Sequence, residues 1–198
     1  MCGRYLAIME GEIVEYREII NEINERYKDA PELLGAVAQA EVFPTNISPV
    51  LVPEPGKAAP LLMTWGFPKW DGKGVIINAR SETALDKKMF RQPLMKRRCV
   101  VPSAGFYEWR QEAGRKQKYL FRLPETKTLY MAGIFDTFGN DTAYTIITTQ
   151  ANETMAPYHD RMPLILPPER IDSWLYDLPF ALDFLHTPCE AQLIAAIV

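Results

Sequence analysis

The chain has 198 residues, 47 % hydrophobic and 24 % charged, ordinary values for a globular protein with a buried core. No apolar run approaches the roughly 20 residues of a membrane-spanning helix, and Glu10, Glu12 and Glu15 fall where a signal peptide needs an apolar stretch. Three cysteines (Cys2, Cys99, Cys189) make an odd count without metal-type spacing, which favours neither a disulfide framework nor a zinc site and points to a reducing cytoplasm.

The net charge of −3 is unevenly spread. Between Lys87 and Arg122 stand eleven Lys/Arg against Glu108 and Glu112, which is +9 there and −12 in the remainder. Such asymmetry can build a local positive surface on an acidic protein, or simply a solvated face of basic side chains.

Taken in order, Ile13, Tyr16, Ile19, Ile20, Ile23 and Tyr27 recur at helical spacing, predicting an amphipathic helix over Gly11 to Tyr27. Pro44-Thr45-Asn46-Ile47-Ser48-Pro49 reads as a rigid extended loop. Val50 to Val52 is then a strand stopped by Pro53, and Leu61 to Gly66 is a second. Asp71 to Gly74 is a turn, Val75 to Asn78 a short apolar run, and Ser81-Glu82-Thr83 a helix entry into Ala84 to Phe90. Strands follow at Arg98 to Pro102, Gly105 to Trp109, Tyr119 to Phe121, Leu129 to Phe135 and Ala143 to Thr148, with Gln111 to Gln117 as a charged hairpin tip. A helical turn fits Glu153 to Ala156, Leu164 to Leu166 is a last short strand, and Pro167 to Arg170 opens a helix through Leu175. With many short strands, few helices and no linker or repeat, the pattern predicts an α+β fold. It is mostly antiparallel β, a barrel-like single domain over 1–198 with flanking helices.

Five places could form a site. If Met1 is removed, Cys2 carries both an α-amine and a thiol, with ordinary pKa values of about 7.7–8.0 and about 8.5. The distinctive partner of a 1,2-aminothiol is an aldehyde: the amine forms an imine, the thiol adds to it, and a thiazolidine closes. Glu108 lies among Gly105, Phe106, Tyr107 and Trp109, where partial desolvation would make it a general acid/base candidate, and alternation sets Phe106 and Glu108 on one face. His159, beside Asp160 and Arg161 between Pro157 and Pro163, is a proton-transfer candidate or a structural hydrogen-bonder. Asn78-Ala79-Arg80 ends an apolar strand, where polar residues often face a site. Trp65 and Trp70 are either stacking surfaces for bases or large core and rim residues.

Together, Met1-Cys2-Gly3-Arg4, Asn46 to Pro49, Trp65-Gly66 with Pro68 and Trp70, Ile77 to Thr83, Arg98 to Pro102 with Gly105 to Trp109, and His159 to Pro163 resemble the SRAP family. These are the SOS-response-associated peptidases, understood as abasic-site-processing proteins. The motifs run in family order from Cys2 to about Leu166. The tail departs: only Leu185-His186-Thr187-Pro188 resembles the family's Trp-His-Pro-Val segment, which leaves the tail's part in the site open.

The resemblance implies that Cys2 forms a thiazolidine with the ring-opened aldehyde of an abasic site, mainly in single-stranded DNA. It implies that Glu108 moves protons, His159 helps open the sugar, and Asn78 positions cysteine and sugar. By the same resemblance Arg4, Arg80 and Arg161 hold flanking phosphates, and Trp65 and Trp70 pack on or wedge against bases. Weak lyase activity is an expected side reaction. No metal or organic cofactor, no membrane association, a monomer and a cytoplasmic location are expected. Two alternatives remain: a cysteine peptidase using Cys2, His159 and Glu108 with self-removal of Met1, and a noncovalent single-strand DNA binder.

Overall fold

The computed structural model describes residues 2–8, 14–112, 114–124, 126 and 128–198. Strand β1 (Tyr5–Leu6) precedes helix α1 (Val14–Arg26), whose Tyr16 and Ile23 are buried and whose Ile19 and Ile20 are half-buried. That stripe is the predicted i, i+3, i+4, i+7 face; the expected helix start at Gly11 to Ile13 lies outside the described residues. Helix α2 (Pro31–Gly35) and strand β2 (Glu41–Val42) lead to the hairpin of β3 (Ile47–Glu54) and β4 (Lys57–Trp65).

The segment expected to be a loop up to Pro49 is therefore strand from Ile47 onward, and Pro53 does not stop it. β3 pairs with β4 over its whole length, but its other edge meets β8 (Arg98–Ser103) only at Leu51↔Val100. Neither Pro49 nor Pro53 thus removes a rung from a continuous second ladder, which is how prolines are tolerated in strands.

Next come β5 (Phe67–Pro68), β6 (Val75–Ile76), β7 (Asn78–Arg80), a 3-10 turn at Ser81–Thr83 and α3 (Lys88–Lys96). The helix expected from Ala84 starts only at Lys88, because Asp86 and Lys87 turn back onto the Thr83 carbonyl. After β8 follow β9 (Gly105–Glu112), β10 (Arg115–Arg122), β11 (Leu129–Phe138), β12 (Asp141–Gln150), β13 (Arg161–Pro163) and β14 (Ile165–Leu166). Helices α4 (Ile171–Tyr176) and α5 (Leu178–Phe184) precede β15 (Ile194–Ile197), so Leu164 to Leu166 is not the last strand.

The sheet closes on itself. β12 pairs with β4 in parallel, and antiparallel pairings run β4 to β3, β3 to β8, β8 to β11 and β11 back to β12. Both faces of this barrel are covered. Val50, Val52, Cys99, Val101, Met131 and Ile146 join one buried cluster with Tyr5, Phe106 and Phe121 of the neighbouring sheet. Their chain neighbours Leu51, Val100, Ala132 and Ile147 join a second cluster with Phe90, Leu94, Trp174 and Leu175 of the helices. Double-sided burial is why Cys99-Val100-Val101 is a continuous apolar run instead of an alternating one.

The second sheet runs β15-β10-β9-β1-β2 and carries the N-terminal arm in its interior, β1 being paired to both β2 and β9. The basic segment divides between the two bodies. Arg98 is buried, its guanidinium donating to the carbonyls of Leu94, Met95, Trp174 and Leu175, so it closes the ends of α3 and α4 and adds nothing to a surface field. No described helix is long and apolar enough to cross a membrane.

Candidate active site

The arm before β1 carries Cys2, whose side chain is fully buried. The Asn78 amide, at the start of β7, donates from Nδ2 to the Cys2 carbonyl at 2.8 Å. The Cys2 thiol donates to the Arg4 carbonyl at 3.7 Å, and the Tyr107 N–H of β9 donates to that same carbonyl at 2.9 Å. Burial pushes the thiol well above its ordinary pKa, and the nearby Glu108 carboxylate pushes it further in the same direction. Glu108 is buried on β9, opposite Tyr119 of β10. Its face is the one expected: Phe106 stacks on Phe121 at 5.2 Å, while Tyr107 and Trp109 face the cations of Lys118 and Arg4.

Cys2, Asn78 and Glu108 are thus brought together from three distant segments. Asn78 Oδ1 is buried with no hydrogen-bond partner among the described residues, so the amide still has an acceptor to offer beside Cys2.

His159 lies on the adjoining rim. Asn78 and Arg80 pair with Ile146 and Thr148 along β12, so Arg80 stands about 7 Å further along the strand from Asn78. Arg80 is exposed and lines an open cleft of about 610 Å³ together with Gln150, Tyr158, His159, Asp160 and Arg161. His159 Nδ1 accepts the Arg161 backbone N–H at 2.9 Å, and an Asp160 carboxylate oxygen lies 2.7 Å from the same nitrogen. The loop is braced by Asn152: its Oδ1 accepts the Met155 N–H, and its Nδ2 donates to the carbonyls of Cys189 and Ala191. The tail thereby braces the loop that carries His159, and β15 adds a strand to β10.

Three residues stand differently from expectation. Trp65 is not a stacking surface: it is fully buried, its ring 5.2 Å from Tyr5 and stacked at 6.5 Å on Tyr144, with Nε1 donating to the Ile77 carbonyl. Gly66 after it sits at φ +115°, and a Cβ there would come within 2.6 Å of Val75, which is why the bend that turns the indole inward needs glycine. Arg161 is not open to a phosphate: it is buried, bound bidentately to Glu82 at 2.6 and 2.9 Å, and donates to the Thr148 carbonyl. Arg4 is committed to Glu41 at 2.9 Å, its guanidinium 4.2 Å from the Phe43 ring and 5.0 Å from Trp109. Trp70 is 96 % exposed, the open aromatic of the pair.

Sequence reasoning missed Glu41, which joins Arg4 to Lys118, and Glu82, which holds Arg161. It also missed Tyr5, Ser48 and Tyr144, whose hydroxyls meet inside the barrel. Among the described residues no cluster of three or more His, Cys, Asp or Glu is arranged to hold a metal ion.

A family model, SOS response associated peptidase (SRAP), matches residues 1–196. The chain belongs to the SRAP family. The SRAP chain is 31 % identical over 192 residues to Abasic site processing protein YoqW of Bacillus subtilis, covering 88 % of this chain and 80 % of that protein. It is 35 % identical to YoaM of the same organism over 63 % of this chain and 60 % of that one. To Abasic site processing protein HMCES of Gallus gallus it is 40 % identical, over 59 % of this chain and 40 % of that protein. The SRAP fold superposes on a crystal structure from Bacteroides thetaiotaomicron with a TM-score of 0.77 at 25 % identity, covering 100 % of this chain and 92 % of that one.

Proposed function

We propose that this protein captures the ring-opened aldehyde of an abasic site in single-stranded DNA on Cys2, after removal of Met1, as a thiazolidine crosslink that shields the lesion. The observation that carries the reading is the grouping of Asn78 and Glu108 on a cysteine at the chain's start. Membership of the SRAP family and the relatives named abasic site processing proteins support it.

In this reading the Cys2 amine adds to the aldehyde carbon, giving a carbinolamine that loses one water to become an imine. The thiol then adds across the C=N bond: a C–S bond forms and the thiol proton passes to nitrogen. Amine and thiol on one residue make the second step intramolecular, so it gains the large effective concentration of a closed ring. A thiol held protonated by burial and by a neighbouring carboxylate needs that carboxylate as its proton acceptor, and Glu108 takes the role. Asn78 fixes the Cys2 carbonyl with Nδ2 and offers Oδ1 to the amine or to a sugar hydroxyl. His159 and Arg80, on the neighbouring cleft, serve sugar opening and the flanking phosphate. The imine stage can also eliminate the 3′ phosphate, a weak lyase side reaction.

The peptidase alternative, with Cys2, His159 and Glu108, predicts cleavage of peptides in trans, which aldehyde capture does not require.

The test is the intact mass of purified protein mixed with a single-stranded oligonucleotide carrying one abasic site, without reductant. The expected species is protein lacking Met1 plus oligonucleotide minus one water, absent in Cys2→Ala. No adduct from a correctly processed N-terminus overturns the reading. Equal binding of abasic and undamaged strands by wild type and Cys2→Ala would then mark a noncovalent binder.

A further inference from the structure

Tyr5, Ser48 and Tyr144 form a closed ring of hydroxyls inside the barrel. Tyr5 Oη lies 2.6 Å from Ser48 Oγ and 2.6 Å from Tyr144 Oη, and the last two lie 2.8 Å apart. All three side chains are buried, at 1 %, 3 % and 0 % exposure. In a three-membered ring each hydroxyl donates once and accepts once, so every donor is used and none is left to pass a proton outward. The ring is a buried lock and not an acid or base of the reaction.

What it locks is the N-terminal arm. Ser48 belongs to β3 and Tyr144 to β12, both barrel strands, whereas Tyr5 belongs to β1, three residues after Cys2. Trp65 joins this lock to the second anchor. Its ring packs on Tyr5 and Tyr144, and its Nε1 holds the Ile77 carbonyl, next to the Asn78 that holds the Cys2 carbonyl. The path Tyr5–Trp65–Ile77–Asn78–Cys2 is a closed circuit of packed and hydrogen-bonded groups around the reactive residue.

We infer that Tyr5 is a positioning residue for Cys2: its hydroxyl, held by Ser48 and Tyr144, sets where the arm presents amine and thiol to Asn78 and Glu108. The inference rests on the aldehyde-capture reading. A misplacement of the order of 1 Å in a reacting group costs about 10²-fold in rate, so a freed arm should show in the chemistry.

The geometry supplies a matched experiment. Tyr5→Phe, Ser48→Ala and Tyr144→Phe each delete two of the three hydrogen bonds. Ser48→Ala leaves Tyr5 bonded to Tyr144, and Tyr144→Phe leaves it bonded to Ser48; only Tyr5→Phe removes every hydroxyl tie between the arm and the barrel, while its ring packing and its backbone pairing with β2 and β9 are kept. Single-turnover crosslinking to an abasic single strand is followed for each, well below the lowest melting temperature. The expected result is a saturating rate about ten-fold lower for Tyr5→Phe, with the half-saturating DNA concentration unchanged, and rates within about two-fold of wild type for the other two. Trp65→Phe keeps an aromatic ring at that position but loses the Ile77 bond and some packing, and should slow the same step.

Equal rates for Tyr5→Phe and wild type, or equal slowing in all three hydroxyl variants, overturn the inference, since the ring is then only structural. The same series is run with glyoxylate, a small aldehyde, in place of DNA. If wild type takes glyoxylate but not abasic DNA, the DNA reading fails while the ranking of the variants still decides the positioning role.

Discussion

The Asn78 side-chain amide donates to the Cys2 carbonyl at 2.8 Å, tying the first segment of the chain to a strand 76 residues away. One hydrogen bond of this kind contributes about 1 kcal/mol to stability, but its loss frees the residue on which the proposed chemistry occurs. Asn78→Ala should therefore lower the melting temperature by only a few degrees while slowing crosslinking about 10–100-fold at saturating DNA. Asn78→Asp should be at least as slow, because a carboxylate facing the Cys2 carbonyl repels it. Adduct time courses on denaturing gels read both. A variant that melts early yet crosslinks at the wild-type rate would make Asn78 a structural residue.

Glu41 occupies the two cations nearest the arm. Its carboxylate binds Arg4 at 2.9 Å and also Lys118, whose ammonium stands 4.0 Å over the Tyr107 ring. Arg4 and Lys118 side chains are 29 % and 22 % exposed, so an anion can reach them once Glu41 lets go. Glu41→Gln should bind undamaged single strands about 3–10-fold more tightly, with the slope of log affinity against log salt steeper by about 0.7 for each phosphate gained. Titrations at several salt concentrations decide it. Unchanged affinity and slope would show that no phosphate competes with Glu41.

The sequence carried the architecture where the physical signal is local. Runs such as Cys99 to Val101, and the turn at Gly139 and Asn140, mark strands and their ends whatever lies around them. It also carried Cys2 as a candidate, since a cysteine at position 2 becomes a 1,2-aminothiol if Met1 is removed. It did not carry what depends on distant partners. Nothing near Trp65 says that its indole meets Tyr5 and Tyr144, and nothing near Arg161 says that Glu82 closes on it. Strand β15 was hidden for a related reason: Ile194 to Ile197 is short and exposed, and becomes a strand only by pairing with Tyr119 to Arg122.

Arg161 and Glu82 form a bidentate pair in which Arg161 is buried and Glu82 about a third exposed. The hydrogen bond from Arg161 lowers the Glu82 pKa below its ordinary value of 4.5. A depressed carboxylate contributes stability that is fully present above its unfolded pKa and is lost as pH falls through the folded one. Wild type should therefore lose melting temperature progressively below about pH 4.5, and Glu82→Gln should show a shallower acid limb. At neutral pH the variant should be less stable by about 1–3 kcal/mol, the cost of leaving a buried charge short of its partner. Parallel acid limbs in the two proteins would remove Glu82 from the account of acid stability.

Trp65 and Trp70 are separated by five positions and by the whole range of exposure, 0 % against 96 %. Truncating a fully buried tryptophan costs about 3–5 kcal/mol, so Trp65→Ala should melt far below wild type or fail to fold. Trp70 has no packing to lose, and Trp70→Ala should leave stability within about 0.5 kcal/mol. If Trp70 stacks on a base beside the lesion, the same change should weaken single-strand binding by about 1–3 kcal/mol, or about 5–150-fold. Because stacking is blind to base identity, the loss should be similar on pyrimidine-rich and purine-rich strands. Thermal melts paired with fluorescence-anisotropy titrations separate the two residues. Full binding by Trp70→Ala would take the aromatic contact out of the proposed interface and leave Arg80 of the cleft and Cys2 to carry it.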